Sequence, residues 1–335
     1  MIHLKPVECP RKIPVCLVPC QILDTIGNTP LVPIRSSSER TGCRILAKAE
    51  YLNPGGSIKD RIARFIIEEA EKRGDLSPGG TILEVTSGNT GIALSMVGAV
   101  KGYRVVIIMP QTVSRERRNM ILSFGAELHL IERLTGIQAA VERAIQLARE
   151  HQDIFLPSQF SNPDNALCHE KTTGAEIVSQ TEGQLDAFVM GVGTGGTLMG
   201  VGRALRAAGL QALRVAVEPE ESAVLSGGPP GHHGIQGLAD GFIPELIRQA
   251  EIDQVVRVGT REAEERARQL GAESGLLVGI SAGANVIAAE RVAGELGPGH
   301  TVITVLPDRG ERYLSLRDDA MPKADESWLF PQKKS

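Results

Sequence analysis

From Thr81 onward the chain alternates between two kinds of apolar pattern. Short runs dominated by Val, Ile and Leu ("TILEV", "RVVIIMP", "ELHLI") are separated by stretches whose apolar residues recur every three to four positions ("TGIALSMVGAVKG", "SRERRNMILSFGA", "GIQAAVERAIQLARE"). The first kind predicts strands buried on both faces and the second amphipathic helices, so the succession reads as parallel βαβ units. A loop-rich passage, "FLPSQFSNPDNALCHE", interrupts it near residues 155–170. The alternation then resumes in "DAFVMGVGTGGTLMGVGRALRAAG" and "LRVAVEP", and again in "ISAGANVIAAERVAGELG" and "TVITVLP". The expected fold is therefore α/β, in two lobes that each hold a central, mostly parallel sheet, with a boundary at the interruption. Upstream, "NPGGSIKDRIARF" opens as a turn and closes as a helix whose stripe is Ile58, Ile62, Phe65 and Ile66. "SGGPPGHHGIQGLADG", residues 226–241, has no period and predicts an irregular loop that either frames a site or crosses the surface.

Composition narrows the function classes. The 335 residues carry Lys+Arg 36 against Asp+Glu 40, a formal net charge of -4, so there is no global attraction to nucleic acid or an anionic membrane. Aromatic residues are only 3%, too few for base-stacking platforms, and no apolar run is long enough to span a bilayer. The five cysteines, with no secretory signal, fit reduced thiols in a cytosol. Cys9, Cys16 and Cys20 lie in a Pro-rich stretch whose spacing matches no zinc pattern, so no metal is expected and a loosely held extension is the simplest reading.

Lys59 falls in the first turn of its helix, where unpaired N–H groups and the dipole disfavour a cation and favour an anion. Either it is a solvated surface lysine or its charge is consumed by something. Two Gly-rich turns could seat an anion. "VMGVGTGGTLMGVGRAL" places Gly193, Thr194, Gly195, Gly196 and Thr197 between a strand and a helix, where backbone N–H groups and hydroxyls converge. Read literally, Gly191, Gly193 and Gly196 also form a G-x-G-x-x-G fingerprint, with Glu218 ending the next strand, as in an NAD-dependent dehydrogenase. A turn needed only for close packing is the plainest alternative. "TSGNTG", residues 86–91, repeats the arrangement with side chains suited to a carboxylate, although one N-cap would account for a single polar residue of the run.

Taken in order, "NPGGSIKDRI", "TSGNTGIALS", "QFSNPDN", "GVGTGGT", "GISAGA" and "LPDRGERYLS" resemble the pyridoxal-phosphate enzymes of fold type II, the tryptophan synthase β-like fold, and within them the cysteine synthase (O-acetylserine sulfhydrylase) group. The match runs from about residue 22 to about residue 315 and reduces the dehydrogenase to a minor alternative. The resemblance implies pyridoxal 5'-phosphate held by Lys59 as a Schiff base, which consumes the lysine's charge. It implies that Gly193, Thr194, Gly195, Gly196 and Thr197 hold the phosphate and that Asn89 meets the ring 3'-oxygen. Ser281 would face the pyridine nitrogen, while Thr86, Ser87, Gly88, Thr90 and Gln159 would bind the substrate α-carboxylate.

It implies further a chain divided into an N-terminal extension (1–21), a larger lobe (22–52 and 163–335) and a smaller lobe (53–162). The reaction implied is β-replacement through an aminoacrylate, giving L-cysteine from O-acetyl-L-serine and sulfide in a cytoplasmic homodimer. Alternatives are a cystathionine β-synthase-type reaction with another nucleophile or leaving group, and a non-catalytic relative that binds serine acetyltransferase. The match departs at "GLADGFIP", where Asp240 replaces a small residue and disfavours an anionic substrate such as O-phosphoserine.

Overall fold

The structure, a computed structural model, describes residues 21–86, 88–132, 137–151 and 153–316. The cysteine-bearing extension and Ser87 therefore lie outside the described residues. Among the described residues ten strands form two sheets: β1 (Leu31–Pro33), β2 (Arg44–Lys48), β3 (Thr81–Val85), β4 (Arg104–Pro110), β5 (Glu127–Ile131), β6 (Ile154–Phe155), β7 (Ala187–Gly191), β8 (Leu213–Pro219), β9 (Gln254–Val258) and β10 (Thr301–Val305). The larger sheet runs β1-β2-β10-β7-β8-β9 and the smaller β5-β4-β3-β6. Among the described strand pairs only β1–β2 is antiparallel.

Period-two alternation divides each sheet between two cores. In the larger sheet Ala47, Val189, Val217 and Val302 face the core shared with helices Thr260–Ser274 and Ile280–Leu296. Leu46, Phe188, Ala216 and Ile303 face the opposite core, shared with helix Gly196–Ala207. In the smaller sheet Ile82 and Ile107 pack toward helices Lys59–Arg73 and Asn89–Lys101, and Leu83 and Val106 toward helix Ile137–Glu150. Strands covered on both faces explain the unbroken apolar runs of the sequence.

The passage read as loop is only partly loop. Helix Pro163–His169 begins within it and continues through a wide turn, Glu170–Gly174, into Ala175–Gln180. Its polar, Pro-containing start reads as a break, yet Pro163 occupies the first turn and the Asn162 side chain caps it by accepting from the Asp164 N–H at 3.0 Å. Among the described residues no helix is long and apolar enough to cross a membrane.

Candidate active site

The parallel strands deliver their following loops to one cleft, as the C-terminal ends of parallel strands do in open α/β sheets. Thr86 and Gly88 follow β3, the Gly193 turn follows β7 and Pro307–Asp308 follows β10. A cleft of about 290 Å³ is lined by Lys59, Thr86, Asn89, Thr90, Gln159 and Thr194 among others. A deeper cavity of about 50 Å³ is lined by Lys59, Asn89, Gly193, Gly195, Thr197, Ser281 and Asp308. Four helices, Lys59–Arg73, Asn89–Lys101, Gly196–Ala207 and Ile280–Leu296, begin beside these spaces, so the region is rich in free N–H groups and positive dipole ends.

Lys59 is the first residue of its helix and is partly buried. Burial lowers its amine to about 8, against the attraction of Asp240 and Asp308, which favours the charged form. The preceding glycines make room for a buried pair. A Cβ on Gly55 would stand 2.5 Å from an Asp60 carboxylate oxygen, and one on Gly56 2.6 Å from the Arg312 guanidinium. Asp60 accepts the Gly55 N–H at 2.6 Å, and burial raises its carboxyl to about 7 although Arg312 opposes the shift. These contacts fix the turn into the Lys59 helix and give the "GG" of the motif its physical reason.

The turn after β7 is equally crowded. Gly195 has φ +84, and a Cβ on Gly193 would run into the carbonyl oxygen of Gly237. Gly196 abuts Asn165, whose amide donates to Thr194 Oγ1 at 3.0 Å and to the Gln159 carbonyl at 2.8 Å. Asn165 thereby ties the glycine turn to the passage carrying Gln159. Thr197 Oγ1 lies 3.2 Å from His169 Nε2, and His169 is held neutral by burial, with Lys59 and Arg61 adding to the effect. Across the cleft Thr90 Oγ1 donates to Gln159 Oε1 at 2.6 Å, and the Gly88 N–H meets Thr86 Oγ1 at 3.3 Å. Ser281 is buried in the first turn of its helix and lines the inner cavity. Of the described residues given cofactor or substrate roles in the sequence, all but Gly196 line one of these two spaces, and Gly196 sits next to them in the glycine turn.

The structure adds residues to which the sequence assigned no role. Asn89 Nδ2 donates to Asp308 Oδ2 at 2.6 Å and Asn89 Oδ1 accepts from Arg312 at 2.5 Å. Tyr313 donates to the same Asp308 oxygen at 2.6 Å, its hydroxyl kept protonated by burial and by the carboxylate. Arg117 donates to the Tyr313 oxygen at 2.9 Å and lies 4.7 Å from its ring centre. Asn89 and Asp308 are 219 positions apart. "LPDRGERYLS" stood out as a motif, but only folding shows what it touches. Glu218 binds the Leu225 and Ser226 N–H groups of its own loop at 2.8 and 3.1 Å, so its carboxylate is not placed for a ribose.

The profile of the family described as pyridoxal-phosphate dependent enzyme matches residues 22–308. The chain belongs to this family. Among the relatives of this pyridoxal-phosphate dependent enzyme, the cysteine synthase of Staphylococcus aureus is 50% identical over 295 residues, covering 88% of this chain and 95% of the relative. The crystal structure of cysteine synthase from Entamoeba histolytica superposes with a TM-score of 0.86 at 41% identity, covering 96% of each chain. That of O-ureido-L-serine synthase gives 0.86 at 44% identity, covering 92% of this chain and 98% of the other. The cofactor is pyridoxal phosphate, and the residues present fit it. The cavity offers a primary amine of lowered pKa, two buried hydroxyls at a glycine turn with no room for side chains, and an amide and a serine beside the amine.

Proposed function

We propose that this chain is a cysteine synthase, forming L-cysteine from O-acetyl-L-serine and sulfide by β-replacement. The observation that carries the reading is one continuous site in which the Lys59 amine stands between the glycine turn, Gly193 to Thr197, and the carboxylate-type loop completed by Thr90 and Gln159. The cysteine synthases similar to this chain support the choice of reaction. Pyridoxal phosphate, when bound, supplies an electron-withdrawing ring that acidifies the substrate α-carbon.

The protein's own groups do the rest. Lys59 Nζ would anchor the cofactor and its free amine would take the α-proton, for which an amine near 8 has a useful neutral fraction at physiological pH. Thr194, Thr197 and the turn's N–H groups would hold the phosphate, Asn89 the ring oxygen and Ser281 the ring nitrogen. A neutral hydroxyl at that nitrogen keeps the ring a modest electron sink, appropriate where the leaving group departs as the proton is lost. Thr86, Ser87, Gly88, Thr90 and Gln159 orient the carboxylate. Phe160 and Phe242, with ring centres 5.2 Å apart at the cleft, limit water. Asp240, on the same cleft, disfavours substrates with a second negative charge.

We assign residues 53–162 to the lobe that closes over the substrate and residues 22–52 and 163–335 to the lobe that holds the phosphate. We also place the enzyme in the cytosol as a homodimer, with serine acetyltransferase a partner for the cleft; the free buried thiols Cys43 and Cys168 are in keeping with a reducing compartment. Steady-state assays pairing O-acetylserine, O-phosphoserine or serine with sulfide, thiosulfate or homocysteine test the reading. O-acetylserine with sulfide should give the highest kcat/KM, and a clear preference for serine with homocysteine would replace it with a cystathionine β-synthase reaction.

A further inference from the structure

The segment after β10 crosses to the smaller sheet's helices and buries Asp308, Arg312 and Tyr313 there. Ser114 Oγ donates to the Arg312 carbonyl at 2.8 Å and the Ser315 N–H donates to Glu116 at 2.9 Å, docking the turn Gly310–Leu316 on helix Arg115–Ser123. From this docked turn the Arg312 guanidinium reaches two places at once. One amino group donates to the Gly55 carbonyl, at the corner that starts the Lys59 helix, and the other to Asn89 Oδ1. Arg312 and Asp308 are 2% and 1% exposed, so bulk solvent does not compete for these hydrogen bonds.

The Asn89 amide is thus held from both ends. Its oxygen meets a group that can only donate, and its nitrogen meets the Asp308 carboxylate, which as an ion can only accept. Turning the amide over would set oxygen against carboxylate and N–H against guanidinium, each a buried repulsive contact. In the observed orientation one N–H is used by Asp308 and the second remains for a ligand in the cavity that Asn89 and Lys59 share.

We propose that Asp308 and Arg312 are positioning residues that lock the Asn89 amide with its nitrogen toward the cofactor, so that an N–H rather than a carbonyl oxygen meets the ring 3'-oxygen. The inference rests on the reading of Asn89 given above. A hydrogen-bond donor at that oxygen stabilises its deprotonated form. The lock therefore controls the ratio of the visible to the near-ultraviolet absorption band of the lysine-bound cofactor, independently of turnover.

The experiment compares these bands at fixed pH in wild type, Asn89→Ala, Asp308→Asn, Arg312→Lys and Ser114→Ala, each saturated with pyridoxal phosphate, alongside thermal unfolding. Asp308→Asn frees the amide to turn, and Arg312→Lys keeps the charge but removes the fork that bridges Gly55 and Asn89. Both should lower the ratio about three- to tenfold, the worth of one ordinary hydrogen bond, in the same direction as Asn89→Ala. Ser114→Ala loosens the docking of the turn, at the Arg312 carbonyl and beside Glu116, without touching Asn89, Asp308 or the Arg312 guanidinium; it should lower the unfolding temperature and leave the ratio unchanged. A shift in Asn89→Ala with no shift in Asp308→Asn or Arg312→Lys overturns the lock alone. No shift in Asn89→Ala overturns the placement of Asn89 and the lock with it. An equal shift in Ser114→Ala shows that docking of the turn, not the lock, sets the amide. Should Asp308→Asn fail to fold, Arg312→Lys carries the same test.

Discussion

Glu84 supplies a test that joins stability to the site. It lies within β3 with its side chain buried beside the Gln159 passage; Oε1 accepts the Val85 N–H at 3.1 Å, and among the described residues Oε2 makes no well-formed hydrogen bond, although the Ser158 and Gln159 amides lie near the carboxyl. Burial raises its carboxyl from the ordinary 4.5 to about 8, against the backbone amides of Val85, Gln159 and Ser158. A carboxyl raised on folding keeps its proton while the unfolded chain has lost it, so stability falls as pH rises from about 4.5 and levels off above about 8. At 1.36 kcal/mol per pH unit the full effect is about 5 kcal/mol, of which roughly 2–3 kcal/mol develops between pH 6 and pH 9. Glu84→Gln is isosteric and cannot ionise. Its stability relative to wild type should rise by roughly that 2–3 kcal/mol over the interval. Urea unfolding followed by circular dichroism, with both proteins saturated with cofactor so that shared pH effects cancel, reads the difference directly. A difference that stays flat from pH 6 to pH 9, or grows toward acid, would refute burial of an ionisable Glu84 as the source.

Lys59→Ala should lose both the visible absorbance of the covalently held cofactor and β-replacement, and Lys59→Arg should fail almost as badly because guanidinium is not a nucleophilic amine; retained absorbance and turnover would remove Lys59 from the chemistry. In wild type stripped of cofactor, capture of pyridoxal phosphate by the lowered amine should accelerate with pH through about 8, measured by stopped-flow absorbance, and an inflection near the ordinary 10.5 would contradict the burial effect. Gly193→Ala drives a methyl into the Gly237 carbonyl and should cost about 1–3 kcal/mol, read as weaker cofactor binding, whereas Gly294→Ala, in a helix with nothing within 4 Å, should stabilise by about 0.5–1 kcal/mol in thermal unfolding. Ser281→Asp should slow cysteine formation by forcing protonation of the ring nitrogen, and an unchanged or faster rate would show that this nitrogen is not tuned by Ser281.

What is local in this protein was legible before folding. Period-two and helical apolar patterns fixed most strands and helices, because burial on a sheet face or helix stripe repeats at short range. Lys59 at a helix start and the Gly193 to Thr197 turn were equally legible, since a helix start and a glycine turn are written in a few consecutive residues. Helix Pro163–His169 was misread because a Pro and polar caps signal both a loop and a helix beginning. The long-range contacts were not so legible: it took the folded chain to reveal that the "GG" before Lys59 makes room for Asp60 and Arg312. It alone showed that Asn165 links Thr194 to Gln159 and that Glu218 serves its own loop. The contact of Asp308 and Arg312 with Asn89 belongs to the same class. It joins positions more than two hundred residues apart through buried polar groups, and such groups leave no periodic trace because their partners are chosen by how the two sheets are brought together.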